Sequence, residues 1–162
     1  MWALLGLAFA AGPPVSGTWS LAESESSLQA KHEQALKDAL AQLPWAFRSI
    51  AKGRLAKPID NCDQVVLGLQ TETFKAYCVG KEPFERTIGA TQAPITGEDG
   101  KLYQVGLDVT AARVQLSFLG DDGGQRTRYA MDGDDLLLTK EIVSSWFSEP
   151  VEWTVRYRRA SP

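Results

Sequence analysis

From Asp63 to the C-terminus, apolar side chains recur at alternate positions, the period of a strand with one face on a core. Tyr103, Val105, Leu107 and Val109 share one phase, as do Val114, Leu116 and Phe118, and again Trp153, Val155 and Tyr157. Glu152, Thr154, Arg156 and Arg158 fall on the opposite, solvent phase of the last run. The pattern predicts strands over 63–70, 73–79, 84–91, 101–109, 113–119, 125–131, 136–143 and 151–159. Between them stand turn formers, Gly80-Lys81-Glu82-Pro83, Gly97-Glu98-Asp99-Gly100, Gly120 to Gly124 and Asp132-Gly133-Asp134-Asp135.

Upstream the period changes. A short strand is predicted over Val15 to Leu21, with Val15, Trp19 and Leu21 in phase. From Ser27 to Leu43 the chain is rich in Ala, Leu, Lys, Glu and Gln, and Leu28, Ala35, Leu36, Ala39, Leu40 and Leu43 form one helical face. Pro44 ends that helix and suits the first position of a second, Trp45 to about Lys52, with Gly53 as its stop. The fold class expected is mostly β: one antiparallel up-and-down β-barrel of about nine strands, with a two-helix insertion (24–56) after the first strand.

A chain of 162 residues is one domain with a real core. A formal charge of −3 and a pI near 5.2 exclude a general nucleic-acid binder, which needs a basic face. Trp2 to Ala11 carries no charge, and Ala8-Phe9-Ala10 has the small-x-small pattern of a cleavage site. Residues 1–10 are therefore expected to be a signal peptide and 11–162 an exported domain, periplasmic or extracellular, with no membrane span left in the mature chain. Cys62 and Cys78 are the only cysteines, an even count suited to an oxidising compartment. A three-residue loop at Leu69-Gln70-Thr71 sets them opposite each other; a two-residue turn at Thr71-Glu72 does not. A bridge and two small buried thiols are both open at this stage.

Three features resemble the calycins, the lipocalins and fatty-acid-binding proteins. Gly17-Thr18-Trp19 resembles the lipocalin element that plugs one barrel end. The helical pair after the first strand is similar to the lid of the fatty-acid-binding proteins, and the basic-aromatic strand ending Trp153 to Arg159 is similar to the last strand of both. The resemblance implies a structural plug of Gly17, Trp19 and Arg159, with Arg159 stacked on Trp19. It also implies a small hydrophobic ligand inside the barrel. One device of the fatty-acid-binding proteins is absent: Arg156 and Tyr157 are adjacent and must face opposite ways, so they cannot form an inward Arg-x-Tyr pair.

Catalysis has little support. His32 is the only histidine, and no phosphate-binding loop, nucleophile elbow or dinucleotide fingerprint is present. Asp121-Asp122 and Asp132 to Asp135 read as turns rather than calcium ligands, and no metal or cofactor is expected. Arg86 lies in phase with Phe84 and Ile88, and Lys140 with Leu138 and Ile142, so each cation points inward unless a bulge flips the strand or the side chain snorkels out. The expected ligand-binding residues are Arg86, Tyr103, Lys140, Trp153 and Tyr157, with Trp45 and Phe47 on the second helix as lid or anchor. The competing function is an envelope structural or protein-binding module with a packed barrel, acting through Trp146, Phe147, Arg156 and Arg158. No protein partner is legible.

Overall fold

A computed structural model describes residues 13–55 and 61–161. The expected signal peptide, 1–10, and the connector around Lys57-Pro58 lie outside the described residues. The chain runs β1 (Gly17–Leu21), α1 (Glu25–Ala41), α2 (Trp45–Leu55), β2 (Gln64–Leu69), β3 (Thr73–Cys78), β4 (Phe84–Thr87), β5 (Ile95–Thr96), β6 (Leu102–Val109), β7 (Arg113–Gly120), β8 (Gly123–Asp132), β9 (Asp135–Ser144) and β10 (Val151–Arg159). The fold is the mostly β, antiparallel architecture the periodicity implies, with both helices after the first strand. Among the described residues the strands number ten because Ile95–Thr96 forms a short additional one. The run expected over 84–91 pairs only as far as Thr87, where the chain leaves the ladder at Gly89, whose φ is +75°.

All ten strands form one curled sheet in the order β4-β3-β2-β1-β10-β9-β8-β7-β6-β5. The ends β4 and β5 share no ladder, so the sheet is a half-barrel with a seam rather than a closed ring. Closure, expected from the strand count, fails because β5 pairs with β6 only at Ile95↔Tyr103 and Thr96↔Leu102. The remaining backbone edge of β6 is left without a ladder partner among the described strands.

Because neighbouring strands alternate in direction, the hairpin turns sort to two ends. At one end lie the β2–β3, β6–β7 and β8–β9 turns with both chain ends of the barrel. At the other, the mouth, lie the β3–β4 and β7–β8 turns, the β9–β10 loop and the helices. The core fills the first end. Val15, Trp19, Phe74, Val114, Leu136 and Val155 are wholly buried there and in the middle of the barrel. Rings also meet across the interior: Phe74 of β3 lies 5.5 Å from Tyr129 of β8, and Phe84 of β4 lies 5.3 Å from Phe118 of β7.

β1 is short, and beyond Leu21↔Tyr157 it no longer covers β10. The segment leading into α1 takes over that edge. The Ala22 amide donates to the Arg156 carbonyl (3.0 Å), the Arg156 amide to Glu23 Oε1 (2.7 Å), and Lys31 Nζ to the Thr154 carbonyl (2.6 Å). Side chains thus satisfy backbone groups that a longer β1 would have paired. α1 is capped by Ser24, whose hydroxyl accepts from the Ser27 amide, and its buried Ala35 and Ala39 pack on Val151 with Phe147 and Trp153.

Candidate functional site

The plug is built from the chain's first strand and last strand. Trp19 pairs with Arg159 across the ladder, its indole N–H donates to the Val15 carbonyl (2.8 Å), and the Arg159 guanidinium lies over its ring at 4.4 Å. Gly17 has φ +140°, and a Cβ there would sit 2.5 Å from an Arg159 guanidinium nitrogen. Stacking a cation on an indole holds the guanidinium flat, and only a residue without a side chain leaves it room. Trp19 is wholly buried. This end of the barrel is closed.

Toward the mouth the inner face changes character. The register aligns Leu116, Thr127, Lys140 and Trp153 side by side across β7, β8, β9 and β10, all on the inward phase. Thr127 is buried, while Lys140 and Trp153 are half-buried. The Trp153 indole nitrogen is out of reach of solvent and has no hydrogen-bond partner, an exception in a protein interior and one that favours an added acceptor. Gln125 and Ile142 form the next inward row, and Phe118, opposite Gln125, brings an aromatic wall.

The other expected ligand residues are dispersed. Tyr157 faces inward but deeper, and its hydroxyl donates to the Cys62 carbonyl (3.0 Å). Tyr103 stands at the rim, its hydroxyl donating to Asp99 (2.8 Å); that hydrogen bond holds the Asp99 carboxyl below its ordinary value and the Tyr103 phenol above its own. Arg86 is on the inward phase opposite Phe74, yet its guanidinium folds back over the Phe84 ring at 4.1 Å and donates to the Glu85 carbonyl (2.7 Å). On an edge strand the side chain can reach the seam, so it snorkels instead of entering the barrel.

Trp45 stands in solvent, and the Phe47 ring meets the β9–β10 loop at the mouth. Trp45 is 84% and Ile50 60% exposed, and Phe47 makes its ring contact with the loop residue Trp146, edge-on at 5.4 Å. α2 continues past Gly53 to Leu55 and packs on α1. Within the β9–β10 loop the two aromatics part ways: Phe147 turns back onto Ala35 and Ala39, while Trp146 stays 60% exposed. Every exposed large apolar side chain among the described residues, namely Trp45, Phe47, Ile50, Val79, Leu102 and Trp146, belongs to the mouth end.

The outer face is ionic. Arg156 holds Asp132 and Asp135 at 2.8 and 2.9 Å, and Arg126 holds the buried Glu141 at 2.6 Å. Arg128 bridges Glu152 and Glu141. An open cleft of about 780 Å3 at the rim is lined by Lys101, Leu102, Tyr103, Leu119, Asp122 and Ile142 among others, and does not include Lys140 or Trp153. Among the described residues no group of acids, histidines or cysteines is arranged to hold a metal ion.

Cys62 and Cys78 are bridged, with Cα atoms 5.5 Å apart. The register is the one expected to separate them: Leu69↔Phe74 and Val65↔Cys78 place the two-residue turn at Thr71-Glu72. The bridge forms regardless because the ladder begins only at Gln64. Cys62 precedes it, where the chain bends at Asp63 and swings back over β3.

Thr127 and Gln125 were absent from the expected site, although counting back by twos from Tyr129 places both on the inner face. Glu23 and Lys31 gave no signal, since their partners are backbone groups exposed only by the shortness of β1.

No protein-family model matches the chain, and no curated protein matches its sequence. Its fold is that of the calycin barrels. Human cRBP IV shares it at 17% identity and TM-score 0.51, over 90% of this chain and 97% of that one. A REP1-NXSQ fatty acid transporter does so at 12% and 0.51 (91% and 97%), and the wild-type fluorescent protein UnaG at 14% and 0.51 (90% and 96%). At these identities the likeness is one of fold.

Proposed function

We propose that the protein holds a small hydrophobic ligand, lipid- or fatty-acid-like, in the mouth half of the barrel beneath the α1–α2 pair, and that it works as an exported binding protein rather than an enzyme. The carrying observation is the gradient along the inner face, from a plugged and wholly buried end to a row of Thr127, Lys140 and Trp153 with an unpaired indole N–H. An apolar wall with a few convergent polar groups is the usual composition of a ligand site. The exposed apolar rim supports entry of such a ligand from that side. One structural neighbour, a fatty acid transporter, supports the ligand class, and the Cys62–Cys78 bridge supports an oxidising compartment.

A second reading has its own observation. The ring contacts Phe74–Tyr129 and Phe84–Phe118 span the interior, as they would in a packed barrel that works through its surface, with Trp146, Arg156 and Arg158 as the face presented. Native mass spectrometry of the full chain, followed by organic extraction, separates the two. A discrete mass lost on extraction, or uptake of an added long-chain carboxylate or its neutral ester, supports the binding reading. A ligand-free mass with no uptake of either supports the packed barrel.

A further inference from the structure

The inner face of β8 passes from buried to exposed over three inward positions, Tyr129, Thr127 and Gln125. At the level of Tyr129 the barrel is solid. Val114, Tyr129, Leu138 and Val155 stand side by side across β7, β8, β9 and β10, and every one of them is buried. From β3 the wholly buried Phe74 brings its ring to 5.5 Å from that of Tyr129. Four strands separate β3 from β8 in the sheet order, so this contact crosses the lumen rather than joining neighbours. Burial pushes the Tyr129 phenol well above its ordinary value, as a level that excludes water should. The row is a floor.

One row toward the mouth, Lys140 and Trp153 are only half-buried, and in the next row Gln125 is exposed. The second ring contact belongs to this upper level: Phe118 stands in the Gln125 row and meets Phe84 of β4 across the seam, as a side wall. From Tyr129 to the start of β8 at Gly123 the strand runs about 20 Å, or about 15 Å along an axis to which barrel strands tilt by about 40°. An extended alkyl chain, with bonds of about 1.5 Å at near-tetrahedral angles, advances about 1.25 Å per carbon. About twelve carbons therefore reach from the floor to the rim, and about eight do so from the Thr127 row.

We propose that the Phe74–Tyr129 floor is a length ruler, and that the ligand is a medium-chain acyl compound of about eight to twelve carbons. The inference rests on the binding reading above and narrows it. A chain of that length fills the span between floor and rim while its polar group stays within reach of Thr127, Lys140 and Trp153. Each methylene taken out of water strengthens binding, by up to about fourfold, and one that stands beyond the rim adds little. The polar row selects the kind of group that is held, and the two rings select the length of the chain attached to it.

Isothermal titration calorimetry of the full chain tests the ruler with saturated carboxylates from octanoate to hexadecanoate, each below its aggregation concentration. Affinity is expected to rise as far as dodecanoate and then to gain less than about threefold in all through hexadecanoate. A larger gain means that the lumen runs past the floor, and it overturns the ruler while keeping the binding reading. A series that is flat from octanoate onward overturns the ruler as well. Binding at no length overturns the binding reading and the ruler with it. Tyr129→Leu shortens one side of the floor and keeps it apolar, so the rise should then extend to tetradecanoate or beyond. A rise that still ends at dodecanoate in this variant, with circular dichroism showing it folded, denies the rings their role. Phe74→Leu puts the same question from the opposite wall if Tyr129→Leu fails to fold, and the unmodified chain's own series decides if both fail.

Discussion

The two ends of the barrel solve the same problem differently. At the closed end, Trp19 is wholly buried, its N–H is satisfied by Val15, and its ring is covered by Arg159. At the mouth, Trp153 keeps an unpaired N–H, and Trp45 and Trp146 stand in solvent. Four residues of one type thus stabilise, lack a partner or face water according to which end they occupy. Burial without a partner costs free energy, and so does exposed apolar surface; both costs collect at one end. Such an asymmetry belongs to an end that something else completes.

The sharpest way to break the comparison is at the plug. Trp19→Ala removes a wholly buried indole and the seat of Arg159, with an expected loss of about 3–5 kcal/mol in urea unfolding. A loss below about 1 kcal/mol would mean that the closed end is no better packed than the mouth. Gly17→Ala comes next: a methyl beside the guanidinium, on a backbone with φ +140°, should cost about 1–3 kcal/mol and expose the Trp19 ring to fluorescence quenchers.

At the mouth the effects should pass from stability to binding. Lys140→Met is expected to weaken uptake of a long-chain carboxylate about tenfold, roughly 1.4 kcal/mol, and to leave uptake of its neutral ester alone. Equal weakening of both would place Lys140 in packing and not in head-group recognition.

Glu23 ties α1 to the edge of β10. Burial pushes its carboxyl up, but hydrogen bonds from Lys31, the Arg156 amide and Ser27 outweigh that, and the net value lies below the ordinary 4.5. A depressed value means that the ionised form is the one stabilised by folding. The contribution is full above pH 4.5 and is lost as the pH falls through the lower folded-state value. Acid should therefore loosen α1 from β10, seen as faster exchange of the Arg156 amide, and Glu23→Gln should flatten that dependence. The smallest effect belongs to Trp45→Ala: with the ring 84% exposed, stability should stay within about 0.5 kcal/mol. A larger loss would mean that α2 is anchored more firmly than its exposure indicates.

Alternation along the chain was enough to place β10 residue for residue at Val151–Arg159 and to find both helices, because one-sided burial writes itself into a period of two or 3.6 whatever the partner. The Trp19–Arg159 stack was legible through the calycin resemblance, with phase singling out Arg159 on the face of Trp153, Val155 and Tyr157. Arg86 was not. Its phase is inward, but only the tertiary structure decides that β4 is an edge strand with a seam beside it, where a long cation can turn away from the core. Nor could the bridge be argued from register, since it forms one bend beyond the ladder to which the counting applies.

The amino-acid sequence by itself determined the strand phases, the helical insertion and the turns, since these depend on local sterics and on which face each residue shows to water. The tertiary structure alone decided the seam between β4 and β5, the row of Thr127, Lys140 and Trp153, and the edge bonds of Glu23 and Lys31. These depend on ladder length and on which strands become neighbours, and such long-range pairings leave no period in the chain.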